Sequence, residues 1–205
     1  PRQVVARYPN YVWSMDLNRV YRWGLWPTSV LVAIDHFSRK VTTVTAAVRG
    51  TAVWIASAMR IAFHRHGVPN HIITDQEGVF TCKEFEEGLG EWGVKHRFGA
   101  VGQHGSISVT ERAVRTLKHE WLRRTPLVGG LEHLAALLEG FEEYYNGWRP
   151  HMTLGGATPE AVWVGRPWVM PDRFQKRVPS HIAIRSFREV GVTAYRPSDT
   201  GLKPG

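Results

Sequence analysis

Apolar residues recur at strand-like spacing early in the chain and at helical spacing later. Tyr11 to Leu17 reads as a first strand, Val30 to Ile34 is an unbroken apolar run, and Val41 to Val48 is rich in Val and Thr. His36-Phe37-Ser38-Arg39 supplies a turn between the last two, so these segments form a β-meander. Thr51 then suits an N-cap, followed by Trp54, Ala58, Ile61 and Ala62 at helical intervals, with Gly67 as the stop. His71 to Thr74 is a short buried strand ending at Asp75, Lys83 to Trp92 a second helix, and Val94 to Phe98 a further strand. Gly99 to Gly105 is a glycine-rich loop, after which Ser106 or Ser108 caps the helix bearing Glu111. Leu131, Leu134, Leu138, Phe141 and Tyr145 mark one more amphipathic helix. This order predicts an α/β fold, a five-stranded mixed sheet flanked by helices. After Pro159 the pattern decays into Pro- and Arg-rich sequence with short strands at most, Ile182 to Ile184 and Val190 to Ala194. The expected division is a core over residues 1–165 and a short basic C-terminal appendage over 166–205.

Composition narrows the class. At 205 residues, 43% hydrophobic and with nine Trp, the chain has ample material for one core. No apolar run approaches the roughly 18–20 residues that cross a bilayer, so no membrane partner is expected. The single Cys82 excludes an internal disulfide, fits a reducing cytoplasm, and leaves no Cys-x-x-Cys spacing for zinc. The abrupt start at Pro1-Arg2-Gln3 suggests a fragment or a truncated reading frame. Lys and Arg number 26 against 18 Asp and Glu, a net charge of +8 that suits a polyanionic partner. From Pro171 onward seven Lys or Arg face three acids. That tail is either a solvated segment or a nucleic-acid contact.

Three carboxylates carry the chemistry: Asp16 in Trp13-Ser14-Met15-Asp16, Asp75 in Ile72-Ile73-Thr74-Asp75, and Glu111 in Val109-Thr110-Glu111-Arg112. Two strand aspartates and a helix glutamate are the ligand type that Mg²⁺ prefers, since it takes few protein carboxylates when it also holds a phosphate. They converge if the two strands pair in parallel and the helix packs across their ends. Two metal ions about 3.5–4 Å apart would then activate an attacking oxygen and stabilise a leaving one. Asp35 is read differently: with Ser38 and Arg39 it fixes a hairpin turn.

Trp13-x-x-Asp16, Ile34-Asp35-x-Phe37-Ser38-Arg39, Thr74-Asp75-x-x-x-x-Phe80, Glu111-Arg112 followed by Leu117-Lys118, and Tyr145-Asn146-x-x-Arg149-Pro150-His151 occur in that order, with 35 residues between Asp75 and Glu111. Over roughly Asn10 to Trp163 they resemble the integrase catalytic core of the retroviral-integrase-like DDE transposases of bacterial insertion sequences. The resemblance implies an RNase H-like fold and a polynucleotidyl transferase in which Asp16, Asp75 and Glu111 are catalytic and bind two Mg²⁺ or Mn²⁺ ions. It implies DNA as partner, both element ends and target. It further implies a homo-oligomer on DNA, in the bacterial cytoplasm with the nucleoid. In DNA integration, such enzymes free a 3′-OH and use it to attack target DNA.

At about 100° per residue, Arg115 and Lys118 lie within about 40° of Glu111 while Val114, Leu117 and Trp121 face the core. The resemblance makes Arg112, Arg115, Lys118 and His104 DNA-binding candidates. The same spacing also suits a surface Glu–Arg pair worth a few tenths of a kcal/mol, and His104 suits a structural loop role. His64, His66 and His71 read as ordinary packing groups, and Tyr145 to His151 as packing first and a DNA or subunit contact second. Glu77 stands where the family has Gly. If the backbone there needs positive φ, Glu costs on the order of 1 kcal/mol or more, and Glu77→Gly should stabilise the domain and raise activity. With no upstream helix-turn-helix or zinc-binding segment within these residues, two alternatives stand beside the transposase: a non-catalytic DNA-binding remnant of an insertion element, and a hydrolytic ribonuclease H.

Overall fold

Eleven residues of strand from Val12 to Arg22 (β1) run antiparallel to Trp26–Asp35 (β2), which in turn runs antiparallel to Val41–Ala47 (β3). The computed structural model describes residues 5–99, 108–125, 127, 129–166 and 182–197. The helix Ala52–His66 (α1) carries the chain to His71–Thr74 (β4), which pairs in parallel with β1. A single turn, Gly78–Thr81 (α2), and the helix Lys83–Gly90 (α3) lead to Lys95–Phe98 (β5), parallel to β4. The sheet order is β3-β2-β1-β4-β5. This is the predicted five-stranded mixed sheet.

Both faces are covered. Val30, Val32 and Ile34 of β2 join one cluster with Ser108–Thr116 (α4), its continuation through Trp121, and Leu131–Glu143 (α5). Leu31 and Ala33 alternate into the opposite cluster with Trp13, Met15 and Ile72, against α1 and α3. A strand buried on both sides reads as a continuous apolar run, which is how β2 appears in the sequence. Thr51 caps α1 by accepting from the Trp54 N–H, and Gly67 ends it at φ 86°.

The turn after β2 follows its predicted logic. Buried Asp35 accepts from the Ser38 N–H (2.7 Å) and hydroxyl (2.8 Å), and Arg39 takes φ 64°. Burial pushes the Asp35 carboxyl up, and the Ser38 donors oppose that shift. The Tyr145–His151 segment is built into the packing. Asn146 both donates to the Val41 carbonyl and accepts from its N–H, each at 2.8 Å, supplying edge strand β3 with a stand-in neighbour. Arg149 makes two bonds to Glu120 at 2.9 and 2.8 Å. Burial raises the Tyr145 phenol to about 12 and lowers the His151 imidazole to about 4.

Three expectations change. Strand β1 extends five residues beyond Leu17, because its alternating residues pair with β2 as far as Arg22 opposite Trp26. Glu77 carries no left-handed strain: it sits at φ −61°, ψ 144°, the extended residue before α2. The family's Gly is therefore not a conformational requirement in this chain. Part of the basic appendage is also core. Ile182–Phe187 (β6) and Val192–Pro197 (β7) form a hairpin whose Phe187, Val190 and Ala194 are buried with Trp121. The hairpin therefore contributes core contacts as well as charge. Pro159–Trp163 (α6) closes the described core before that hairpin, its N-terminus capped by Thr158.

Two stability outcomes follow from these contacts. Asn146→Ala leaves the Val41 N–H and carbonyl without these two buried bonds and should cost about 1–3 kcal/mol, seen as a melting point several degrees lower. At residue 77, Glu77→Gln should melt at or above the wild type, since it removes charge but keeps backbone restriction. Glu77→Gly should fall below Glu77→Gln by about 0.5–1 kcal/mol, the cost of added unfolded-chain freedom. A glycine variant more stable than the glutamine one would restore the strain expectation.

Candidate active site

Strand β1 presents Ser14, Asp16 and Asn18 on one face, and α4 lies along it. The Ser14 and Thr110 hydroxyls are hydrogen-bonded at one end. At the other, Lys118 Nζ donates to Asn18 Oδ1 at 2.9 Å. Four residues of strand advance about 13 Å and eight of helix about 12 Å, so the two contacts hold strand and helix side by side. Between them, Asn18 Nδ2 donates to Asp16 Oδ2 at 2.8 Å, orienting that carboxylate.

Asp75 comes from the neighbouring strand. Parallel pairing sets Val12 opposite His71, Trp13 opposite Ile72 and Ser14 opposite Ile73. Asp16 and Asp75 each follow two residues on. Burial pushes the Asp16 carboxyl up, the Asn18 amide holds it down, and the Asp75 charge pushes it up again; the Leu17 N–H and Lys118 act downward. Asp75 Oδ1 accepts the Glu77 N–H at 3.1 Å. The Glu77 carboxyl is itself raised, by desolvation first and then by Asp75 and Asp16, with Arg19 opposing. The charge of Asp75 thus acts on both Asp16 and Glu77 at the end of β4.

Glu111 sits exposed on the first turn of α4. It shares a helix side with Lys118, about 20° away. No three His, Cys, Asp or Glu side chains gather closely enough to hold a metal ion among the described residues, so Glu111 is not drawn into one cluster with the aspartate pair. Arg115 is exposed one turn on from Glu111. Arg112 lies on the other flank of the helix, where its charge acts on Arg39 and Tyr145. His104 lies outside the described residues.

Several neighbours escape a search for acids and bases. Asn18 and Ser14 follow from the period-2 rule once Asp16 is on a strand. Thr110 has no sequence signal beyond adjacency to Glu111. Beside Asp75, the Thr74 hydroxyl donates to the Asp75 carbonyl at 2.8 Å and meets His96 Nε2 at 2.9 Å, while His96 Nδ1 lies 2.5 Å from Glu86. His64 and His66 pack edge-on against Trp92 and Trp163, and His71 against Tyr11.

Comparison with known proteins identifies the fold and the family. Two family models, each described as an integrase core domain, match residues 6–104 and 92–159. The transposase InsF of insertion sequence IS3A from Escherichia coli (strain K12) is 26% identical over 157 residues, which is 76% of this chain and 54% of that protein. The chain thus spans about half the length of the transposases it matches. Among solved structures, the HTLV-2 integrase catalytic core domain in complex with magnesium superposes with a TM-score of 0.60 at 21% identity, over 76% of this chain and 96% of that one. The simian T-cell lymphotropic virus intasome, solved with a PP2A regulatory subunit, gives 0.68 at 20% identity, over 96% and 71%. The BIV integrase core gives 0.61 at 23%, over 76% and 95%. These likenesses establish the RNase H-like fold of retroviral integrase cores. With its five-stranded sheet and the two models together spanning residues 6–159, the chain belongs to the integrase core domain family, alongside the transposases of bacterial insertion sequences.

Proposed function

We propose that the chain is the catalytic core of a transposase that cleaves DNA and transfers the freed strand, acting in the cytoplasm as a homo-oligomer on element ends and target. One observation carries this reading: Asp16 and Asp75 follow the last residues of a parallel strand pairing by the same two positions, and Asp16 feels the charge of Asp75. A fold has no use for two partly buried like charges side by side; a divalent cation does. The donor set suits Mg²⁺ or Mn²⁺, with Asp16 and Asp75 as hard oxygen ligands and Glu111 as the third. Bound there, one or two such ions supply activation of the attacking oxygen and stabilisation of the leaving one.

The chain's own residues do the rest. Asn18 fixes the Asp16 carboxylate, leaving its second oxygen for a ligand. Lys118, tethered to Asn18, keeps an ammonium beside the pair where a scissile phosphate would lie, and Arg115 extends that positive edge. Bringing the Glu111 carboxylate to the pair concentrates a third negative charge and so requires a counter-charge. The extended conformation of Glu77 removes the backbone-strain argument for the remnant alternative, and metal-dependent cleavage separates that alternative from the transposase.

The test is Mg²⁺- or Mn²⁺-dependent cleavage of duplexes carrying the terminal sequences that flank the reading frame, with joining of a labelled 3′-OH strand to a plasmid. Asp16→Asn, Asp75→Asn and Glu111→Gln should each abolish both steps without unfolding the chain. Wild-type rates in any one variant would remove that residue from the site. Cleavage of RNA–DNA hybrid without joining would favour the ribonuclease reading.

Asp16→Asn should also raise the melting point of the metal-free protein at neutral pH. The folded state raises the Asp16 carboxyl, so ionisation destabilises the fold, increasingly as pH climbs through that raised value. The gain should shrink to nothing as pH falls below the ordinary aspartate range, where the wild type is protonated in both states. Lys118→Ala should slow joining and lower the salt dependence of DNA binding by about one unit of slope.

A further inference from the structure

The β1–β2 hairpin runs on past the aspartates. From Asp16 to Arg22 is about 20 Å of strand, ending in a turn in which the Leu25 N–H donates to the Arg22 carbonyl at 3.1 Å. Its two central residues, Trp23 and Gly24, take φ 54° and 68°. Gly is ordinary there, but a bulky residue in the left-handed region is rare. Trp23 is 60% exposed and Trp26 64%, with Tyr21 and Leu25 also in solvent. These are the wrong side chains for a solvated turn.

Charge says what they meet. Residues 17–28 hold Arg19 and Arg22 and no acid. The Trp23 N–H donates to the Leu127 carbonyl, docking the tip beside the segment that follows exposed Arg123 and Arg124. A second copy of this basic patch would be repelled, whereas a polyanion with flat apolar bases would not. The path is open too. Among the described residues no strand pairs with β1 beyond Ser14 on the β4 side, so an edge leads from the aspartate pair to the tip with exposed Arg19 along it.

We propose that this hairpin is a DNA-stacking surface: Trp23 and Trp26 stack on unpaired bases of the strand running from the aspartate centre, while Arg19 and Arg22 hold its phosphates. At the duplex rise of about 3.4 Å per nucleotide, the stacked base lies at most about six nucleotides from the scissile phosphate, and fewer where the unpaired strand is drawn out. The inference rests on the aspartate pair being the reaction centre, and its test is independent of chemistry.

Binding is measured in EDTA with the full chain. The probes are a blunt duplex and duplexes carrying a short single-stranded overhang with 2-aminopurine stepped along it. The wild type should prefer the overhang and quench 2-aminopurine most strongly near one position. Trp23→Ala and Trp26→Ala should each weaken overhang binding about tenfold, relieve the quenching, and leave blunt-duplex affinity and the salt slope unchanged. Arg19→Ala and Arg22→Ala should instead each lower the slope by about one. Trp23, Trp26 and Arg19 are exposed, while Arg22 is half-buried with its Nε donating to the buried Thr28 hydroxyl at 2.8 Å, so Arg22→Lys accompanies Arg22→Ala, and melting points within a degree or two of the wild type verify folding. Overhang binding and quenching that survive both Trp substitutions overturn the proposal. So does a loss of self-association in sedimentation with DNA binding unchanged, which would make the tip a contact between copies. A variant series showing no metal-dependent cleavage would count against the centre while leaving the stacking result intact.

Discussion

Two carboxylates that repel each other lie just past the end of one parallel strand pairing, and most of the site is arranged around that conflict. The register of β1 and β4 brings them near: Val12 to Ser14 pair with His71 to Ile73, and Asp16 and Asp75 each follow two residues on. Strand β4 stops at Thr74, so both carboxylates face an open edge and keep part of their hydration. The Asn18 amide and the Lys118 ammonium hold Asp16 against burial and against its neighbour. Apolar residues at both positions would extend the core. Their place is taken by acids, and at Asp16 the fold penalises the charged form, an exchange that accords with the proposed cation site.

Helix α4 must then be fixed in both translation and rotation. Ala113, Val114 and Leu117 bury its inner face, but an apolar stripe alone tolerates sliding. The Ser14–Thr110 and Asn18–Lys118 contacts set the register. Beyond them Trp121 is anchored through Nε1 to the Leu137 carbonyl at 2.8 Å and stacked on Tyr144. Gly140 makes room, since a Cβ there would meet the Trp121 ring at 3.0 Å. The two Arg149–Glu120 bonds pin the same stretch from the C-terminal side. The Tyr145–His151 motif therefore acts on the site from a distance, by holding the far end of the helix that carries Glu111.

The fold was largely legible in the sequence because its main elements obey simple periodicities. The unbroken run in β2, the Val- and Thr-rich stretch of β3, the Thr51 cap and the Gly67 stop each have one physical meaning, and the structure realises all of them. Asp35 was readable for the same reason: a short acceptor two residues before Phe37-Ser38 has turn donors within reach. What failed was inference from composition. Asn18 to Arg22 looks like polar connection, yet alternation with pairing to β2 makes it strand. The Pro- and Arg-rich C-terminal stretch looks like tail, yet Phe187, Val190 and Ala194 reach the core, guided by contacts that no local pattern encodes. Glu77 was misjudged by analogy, since a family's glycine records what is common rather than what the backbone requires. The carboxylates themselves were located by motif, while the polar residues that orient them emerge only from the pairing of strand and helix.

The unequal lengths of β1 and β4 tie these observations together. An eleven-residue strand beside a four-residue one leaves an exposed edge, and such edges invite pairing with other chains. Beyond Asp16 the strand gives the two hydrophobic clusters only Val20 and the partly buried Leu17. The chain nonetheless keeps the edge, guards it with Arg19, and ends it in Trp23 at an unfavourable φ. Cation and twist deter another β-strand, whereas neither deters a nucleic acid. An edge unattractive to protein and attractive to a polyanion, beginning at the aspartate pair, is therefore best understood as part of the site rather than as a flaw in the sheet.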